Sequence, residues 1–246
     1  NDRIKETGKK PKAIILVHLY GMPAKMKEII SVSKKYNIPV IEDAAEALGS
    51  KFENQQLGTF GEIGIFSFNG NKIITTSGGG ALISNNQVHV TQSLKRATQS
   101  REPVRHYEHK EIGYNYRLSN ISAAIGLGQM EILDDHVNKR RNVFHRYFNS
   151  LKEFKSLNFL MEPNDYISNR WLTTLILNDI NVNKLIDYLE KFDIEARNLW
   201  KPLHLQPVFN IFPSYTNGNS DMLFQNGICL PSSSNLTIKE QDFVIQ

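Results

Sequence analysis

An acid and a lysine stand out because each sits where a chain folded into strands presents its loops to a ligand. Asp43 ends the apolar stretch Val40-Ile41-Glu42-Asp43-Ala44-Ala45-Glu46. In open parallel sheets, ligands bind beyond the carboxyl ends of the strands, so an acid there is placed to hold one. Asp before two alanines is also a good helix N-cap, and the residue by itself leaves both roles open. Lys72 closes Phe66-Ser67-Phe68-Asn69-Gly70-Asn71-Lys72, 29 positions further on. A loop lysine is ordinarily solvated surface. Here Asn69, Gly70 and Asn71 precede it and Gly78-Gly79-Gly80 follows. Those residues tolerate unusual backbone angles and let a backbone come close to a ligand. No Gly-Lys-Ser/Thr of a nucleotide triphosphatase loop is present.

Other polar residues offer weaker signals. Arg170 and Arg197 suit a diphosphate or a carboxylate, or a surface ion pair. His106, Tyr107 and His109 fall within four positions and read either as a contact to a polar ligand or as a surface loop. His204, in Lys-Pro-Leu-His, is equally open. The seven histidines show no metal-ligand spacing with acids, so metal binding is not expected.

Behind these residues lies an α/β pattern. Residues 13–17 form a short apolar run, a helical pattern follows with Met26, Ile29 and Ile30 on one side, Asn37 ends that helix, and 38–42 return as a strand. Such a βαβ unit implies a parallel sheet with a right-handed crossover. Strands are expected at 63–68 and 80–84. One long helix is expected from Ser119 to about Phe154, kinked near Asp134-Asp135, with Ile121, Ala124, Ile125, Met130, Leu133 and Val137 at helical spacing. After Pro163 a strand at 171–177 and a helix at 182–192 follow. A boundary near 150–165 divides the chain into residues 1–150 and a small C-terminal α/β domain, 151–246.

Composition limits the alternatives. The 246 residues are 40% hydrophobic and 22% charged, which is ordinary for a globular α/β protein. A net charge of +4, spread along the chain, reads as solvated surface rather than a nucleic-acid patch. It also suits a diphosphate-bearing substrate. One cysteine, Cys229, precludes an intrachain disulfide and fits a reducing cytoplasm. No apolar run approaches the roughly 20 residues that span a bilayer, and residues 1–5 are not a signal peptide.

Four ordered motifs then point to a family. His18-Leu-Tyr-Gly21, Ile41-Glu-Asp-Ala-Ala-Glu46, Phe66-Ser-Phe-Asn-Gly-Asn-Lys72 and Gly113-Tyr-Asn-Tyr-Arg-Leu-Ser-Asn120 together resemble the DegT/DnrJ/StrS aminotransferases, a branch of the fold-type I pyridoxal-phosphate enzymes. The resemblance runs from about Ala13 to the C-terminus. Phe66–Lys72, His106-Tyr-Glu-His109 and Leu199-Trp-Lys-Pro-Leu-His-Leu-Gln-Pro207 are most similar to the subgroup that aminates UDP-4-keto-6-deoxy-N-acetylhexosamines, as in bacillosamine synthesis.

The resemblance implies a fold, a cofactor and roles. The fold is a mainly parallel large-domain sheet with a small α/β C-terminal domain. Lys72 is the Schiff-base lysine and proton carrier, and Asp43 the partner of the pyridine nitrogen. Ser67 is a phosphate ligand, and Glu46 lies near the ring oxygen. Asn115 and Arg117 reach the partner subunit's site in a homodimer with shared active sites. His106, Tyr107, Arg170, Arg197 and His204 are the candidates for binding substrate. An amino acid, glutamate, gives its amine to the cofactor, leaving pyridoxamine phosphate, and the amine passes to a nucleotide-linked 4-keto-6-deoxy sugar. A pyridoxamine-dependent dehydratase would carry His at position 72. A catalytically inactive sugar-nucleotide-binding or regulatory homologue is the remaining alternative. The family's N-terminal cofactor-binding segment precedes the position of Ala13, so that part of the fold is expected to be missing.

Overall fold

The computed structural model describes residues 2–246. In chain order the elements are α1 (Asp2–Thr7), β1 (Ile14–Val17), α2 (Met26–Tyr36), β2 (Val40–Asp43), β3 (Lys51–Phe52), β4 (Gln55–Gln56), β5 (Ile63–Ser67), β6 (Gly80–Ile83), α3 (Gln87–Ala97), α4 (Asn120–Glu131), α5 (Leu133–Leu151), β7 (Leu157–Phe159), β8 (Tyr166–Ile167), β9 (Thr173–Leu177), α6 (Val182–Glu190), β10 (Arg197–Asn198), α7 (Asn219–Asn226), β11 (Gly227–Leu230) and α8 (Ile238–Ile245). They form two compact units. Among the described residues, one comprises 7–137 and 163–171, the other 2–6, 138–162 and 172–246. The division thus falls inside α5, whereas the sequence reading divides the chain at 150/151. A change of composition after Pro163 is visible in sequence; the return of 163–171 to the first unit is not, because the side chains that fix it bond to residues 100 to 123 positions away.

In the first unit a four-stranded sheet runs β1-β2-β5-β6. β1, β2 and β5 are parallel, and β6 is antiparallel to β5. The expected βαβ unit is present, and α2 ends at Asn37 as expected. Asn37 adopts φ 50°, ψ 57° and donates its N–H to Ser33 and Lys34, closing the helix in the left-handed conformation that Asn tolerates. Lys34 and Lys35 in the last turn complement the helix dipole.

One face of the sheet is buried. Leu16 and Val40 pack with Met26 of α2 and with Ala44, Ala47, Phe52 and Leu57. The opposite face is not: Ile15 is 69% and Val17 44% exposed. Parallel strands are ordinarily covered on both faces. The small sheet β4-β3-β8 belongs to the same unit.

The expected long helix is two. Ile132 breaks it, two residues before the expected kink, so α4 and α5 are separate helices. Ser119 caps α4 by accepting the N–H of Ser122 at 3.1 Å. The apolar spacing of α4 does not mark a core: it buries none of its residues, with Ile121 77% and Leu127 70% exposed.

The second unit has an antiparallel sheet, β10-β11-β9-β7. Its core gathers Val143 and Tyr147 of α5, Leu175 and Leu177 of β9, Val182 and Leu189 of α6, and Ile228 and Leu230 of β11. Cys229 is buried there. Thr237 and Glu240 form a reciprocal capping box on α8. Among the described residues, no helix is long and apolar enough to cross a membrane.

Candidate active site

The parallel register places the strand ends level. Val17 of β1 lies opposite Asp43 of β2, and Asp43 lies opposite Ile65 of β5. Because side chains alternate along a strand, Asp43, Ile65 and Ser67 share one face, the same uncovered face as Ile15 and Val17. One pleat along and one strand across puts the Cα atoms of Asp43 and Ser67 roughly 8 Å apart. Beyond Asp43 the chain turns rather than entering a helix, and Asp43 Oδ1 accepts the N–H of Ala45 at 3.1 Å. The carboxylate therefore caps a turn, and the helix-cap alternative does not apply.

Lys72 follows Ser67 in a closed loop. Phe68 and Gly79 are joined across its base by the Phe68 N–H to the Gly79 carbonyl, 3.1 Å, and Thr76 N–H returns to the Phe68 carbonyl at 2.9 Å. Lys72 N–H donates to Asn69 O at 3.1 Å. Gly79 holds φ 84°, and a Cβ there would lie 2.5 Å from Leu118 Cδ1; this glycine meets both a torsional and a steric demand. The loop is tied to sequence far away. Trp171 Nε1–H donates to Asn71 O at 2.8 Å, and His136 Nδ1–H to Ile73 O at 2.9 Å. The carbonyls on either side of Lys72 are thus both held. The Lys72 ammonium lies 4.4 Å from the Trp171 ring centroid.

The other face of β2 carries a buried anion. Glu42 is fully buried and accepts from Gly58 N–H at 2.8 Å, Phe60 and Gly61 N–H at 2.6 Å, and His18 Nε2 at 3.0 Å. Ala24 N–H donates to His18 Nδ1, so the ring proton sits on Nε2. Burial pushes the Glu42 carboxyl up, but the His18 bond and the Gly61 and Gly58 amides outweigh it and hold the carboxyl below its ordinary value. Glu42 fixes the loop 57–61 and the end of β1 from beneath the sheet, one residue from Asp43.

A strap at 168–171 completes the support. Asn169 Nδ2 donates to the carbonyls of Glu46 and Leu48, each at 2.9 Å, and its Oδ1 accepts Trp171 N–H at 2.9 Å. Ser50 Oγ–H bonds Gly21 O at 2.7 Å and accepts Asn169 N–H at 2.8 Å. Glu46, expected near a cofactor ring oxygen, has Oε2 engaged by the N–H of Tyr20 at 2.5 Å. Arg170 is buried at φ 51°, so the surface-ion-pair alternative fails for it.

The remaining candidates are placed differently. Residues 114–117 run beside the end of α3, with Tyr114 N–H on Arg96 O at 2.7 Å and Tyr116 and Arg117 N–H on Ala97 O at 2.9 and 3.2 Å. Asn115 and His109 line a hollow of about 560 Å³ with Gln99, Lys110, Glu111 and Gly113. Asn115 and Arg117 also line an adjoining hollow of about 530 Å³ with Arg101 and Glu102. His106 pairs with Glu108 at 3.2 Å, and Tyr107 lies under the Arg101 guanidinium at 4.2 Å. Arg197 and His204 belong to the second unit. Arg197 pairs with the exposed Glu195, and His204 with Asp221 at 2.7 Å.

The donor set fits pyridoxal phosphate. A carboxylate answers a protonated ring nitrogen, an amine an aldehyde and a hydroxyl a phosphate; Asp43 and Ser67 share one end of one sheet face, and Lys72 stands in the loop that follows Ser67. The description DegT/DnrJ/EryC1/StrS aminotransferase family matches residues 3–246. The chain belongs to this family. It is 52% identical to EpsN of Bacillus subtilis (strain 168) over 250 residues, covering all of this chain and 64% of EpsN. It is 35% identical to the GDP-perosamine synthase of Escherichia coli O157:H7, covering 96% of this chain and 65% of that protein. Its fold is similar to the crystal structure of a DegT/DnrJ/EryC1/StrS aminotransferase from Brucella abortus, with TM-score 0.89, 28% identity, and coverage of 99% of this chain and 65% of that one. The chain therefore spans about two thirds of the length of these relatives, and its α/β architecture is that of the fold-type I enzymes.

Sequence reasoning did not find Trp171, His136, Asn169 or the His18–Glu42 pair. Asn169 and Trp171 flank Arg170, which was singled out for its charge. The signal available was Trp-Leu-Thr-Thr at the mouth of a strand, which reads equally as core.

Proposed function

We propose that this chain carries the Asp–Lys half of a pyridoxal-phosphate-dependent aminotransferase acting on a nucleotide-linked 4-keto-6-deoxy sugar. The observation that supports it most is that Asp43 and Ser67 share the uncovered face at the strand ends, with Lys72 in the braced loop that follows Ser67, within a chain of this family. When bound, pyridoxal phosphate supplies an aldehyde that condenses with amines and a protonated ring that withdraws electrons. Lys72 Nζ would hold the cofactor through its aldehyde carbon and would carry the proton to and from the reacting carbons. The Asp43 carboxylate keeps a proton on the ring nitrogen. Ser67 Oγ donates to the phosphate, and Glu46 borders the ring. Asn115 and Arg117 serve the site of a partner subunit in a homodimer; the exposed apolar residues of α4 suit such a contact. His106, Tyr107, Arg170, Arg197 and His204 are the substrate-binding candidates, with a guanidinium matched to a diphosphate.

Glutamate is the proposed amino donor, pyridoxamine phosphate the amine-loaded cofactor, and a UDP-linked N-acetylated keto sugar the acceptor. GDP-linked sugars are the competing acceptors, given the name of the Escherichia coli relative. A reducing cytoplasm suits the single buried thiol. Borohydride reduction after incubation with pyridoxal phosphate should fix the cofactor to the Lys72 peptide by mass mapping. Lys72→Ala should lose that label and turnover while retaining its fold. Normal turnover by Lys72→Ala would end the proposal.

A further inference from the structure

We propose that Trp171 is a positioning residue for Lys72, holding the free amine over its ring and pinning the peptide that carries it; this rests on the reading of Lys72 as the cofactor-binding lysine. Two contacts from one side chain converge on the same place. The indole N–H holds the carbonyl of Asn71 at 2.8 Å, and the ring face receives the Lys72 ammonium at 4.4 Å. Trp171 is itself buried and immobilised, with its backbone N–H on Asn169 Oδ1 and Asn169 in turn tied to Glu46 and Leu48. A lysine side chain has four rotatable carbons and is otherwise free to sweep through solvent. An aromatic face attracts the cation without forming a hydrogen bond that would have to be broken when the nitrogen takes up a carbonyl carbon. It therefore gives Lys72 a waiting position whenever its nitrogen is unattached. His136 provides the internal control, because it holds the other flanking carbonyl, Ile73 O, at 2.9 Å without touching the ammonium.

The test reads Lys72 directly in the full chain without cofactor. Trace acetic anhydride labels amines, and mass mapping gives the Lys72 rate relative to Lys51. Trp171→Leu removes the ring and should raise Lys72 labelling about 5- to 30-fold, the range between an exposed and a desolvated cation–aromatic contact. Trp171→Phe keeps a smaller face and should raise it about 3-fold; it decides the matter if circular dichroism shows Trp171→Leu unfolded. His136→Ala should leave labelling unchanged. Unchanged labelling in both Trp171 variants, or an equal rise in His136→Ala, overturns the inference, since the latter would mean general loosening. The same variants are then incubated with pyridoxal phosphate and reduced, and Trp171→Leu should give less label at Lys72 than the unaltered chain. If the unaltered chain takes up no cofactor at Lys72, the Schiff-base reading fails, while the acetylation ratios still decide whether Trp171 holds this amine.

Discussion

The loop 68–79 and the segment 101–117 both carry candidate site residues, yet they are held by opposite means. In the first, the peptides around Lys72 are fixed by Trp171, 100 residues away, and by His136, 63 residues from the carbonyl it holds. In the second, residues 114–117 lean on the last turn of α3 through main-chain bonds, and the side chains of His106, Tyr107 and Asn115 project without burial. A group that must meet a reacting atom within a fraction of an ångström needs a locked support. A group that closes over a large polar substrate can be carried on a looser one. The contrast predicts that damage beneath the sheet ends should appear as lost stability, while damage in 101–117 should appear as lost binding.

The largest effect is expected at Glu42. Glu42→Ala leaves three backbone amides and His18 without their acceptor in a dry site, and should cost about 3–5 kcal/mol in urea unfolding. The pH dependence has a definite sign. The folded carboxyl titrates below its unfolded value, so its contribution is complete above the ordinary carboxylate range and is lost as pH falls through the lowered folded value. A Glu42→Gln chain should therefore show a shallower loss of stability in acid than the unaltered one. Equal acid limbs would remove Glu42 from the account.

Asn169→Ala comes next. It strands the carbonyls of Glu46 and Leu48 and the N–H of Trp171. About 2–4 kcal/mol of destabilisation is expected, because buried polar groups left unpaired bear their full desolvation cost. A loss within about 0.5 kcal/mol, the scale of an ordinary surface change, would mean that the strap is not a support.

These anchors explain how far the sequence could be read. The β1–α2–β2 unit was legible because its signals are local: apolar runs, a 3.6-residue stripe, and Asn37 closing the helix. Asp43 and Ser67 were legible as strand-end residues for the same reason. The break at Ile132 was displaced because the Asp134-Asp135 pair, read as a disruption, instead supplies acids to the first turn of α5. The apolar residues of α4 recur at helical spacing but are left exposed, and spacing does not report what covers a residue. Trp171, His136 and Asn169 act on residues 63 to 123 positions away, where no local pattern carries information.

Just beyond the looser segment, Ser119→Ala tests a local device. Its hydroxyl accepts Ser122 N–H at the start of α4, and its loss should cost about 1 kcal/mol. That is less than either change under the sheet, as local capping requires. A larger loss would show that the turn 113–119 is coupled to the core after all.

Tyr107→Ala should be the mildest for stability and the most informative about function. Tyr107 is 74% exposed, and among the described residues its ring meets the Arg101 guanidinium and, at 6.5 Å, the His109 ring. An exposed cation–aromatic contact is worth about 0.5–1 kcal/mol, so the urea midpoint should hardly move. If 101–117 binds the sugar nucleotide, removing the ring should still raise the substrate KM several-fold, because Arg101 loses the surface that orients it toward a diphosphate. Unchanged KM together with unchanged stability would reduce the segment to a surface loop, leaving substrate recognition to the arginines elsewhere. A marked fall in stability with unchanged KM would reverse the contrast between the two regions.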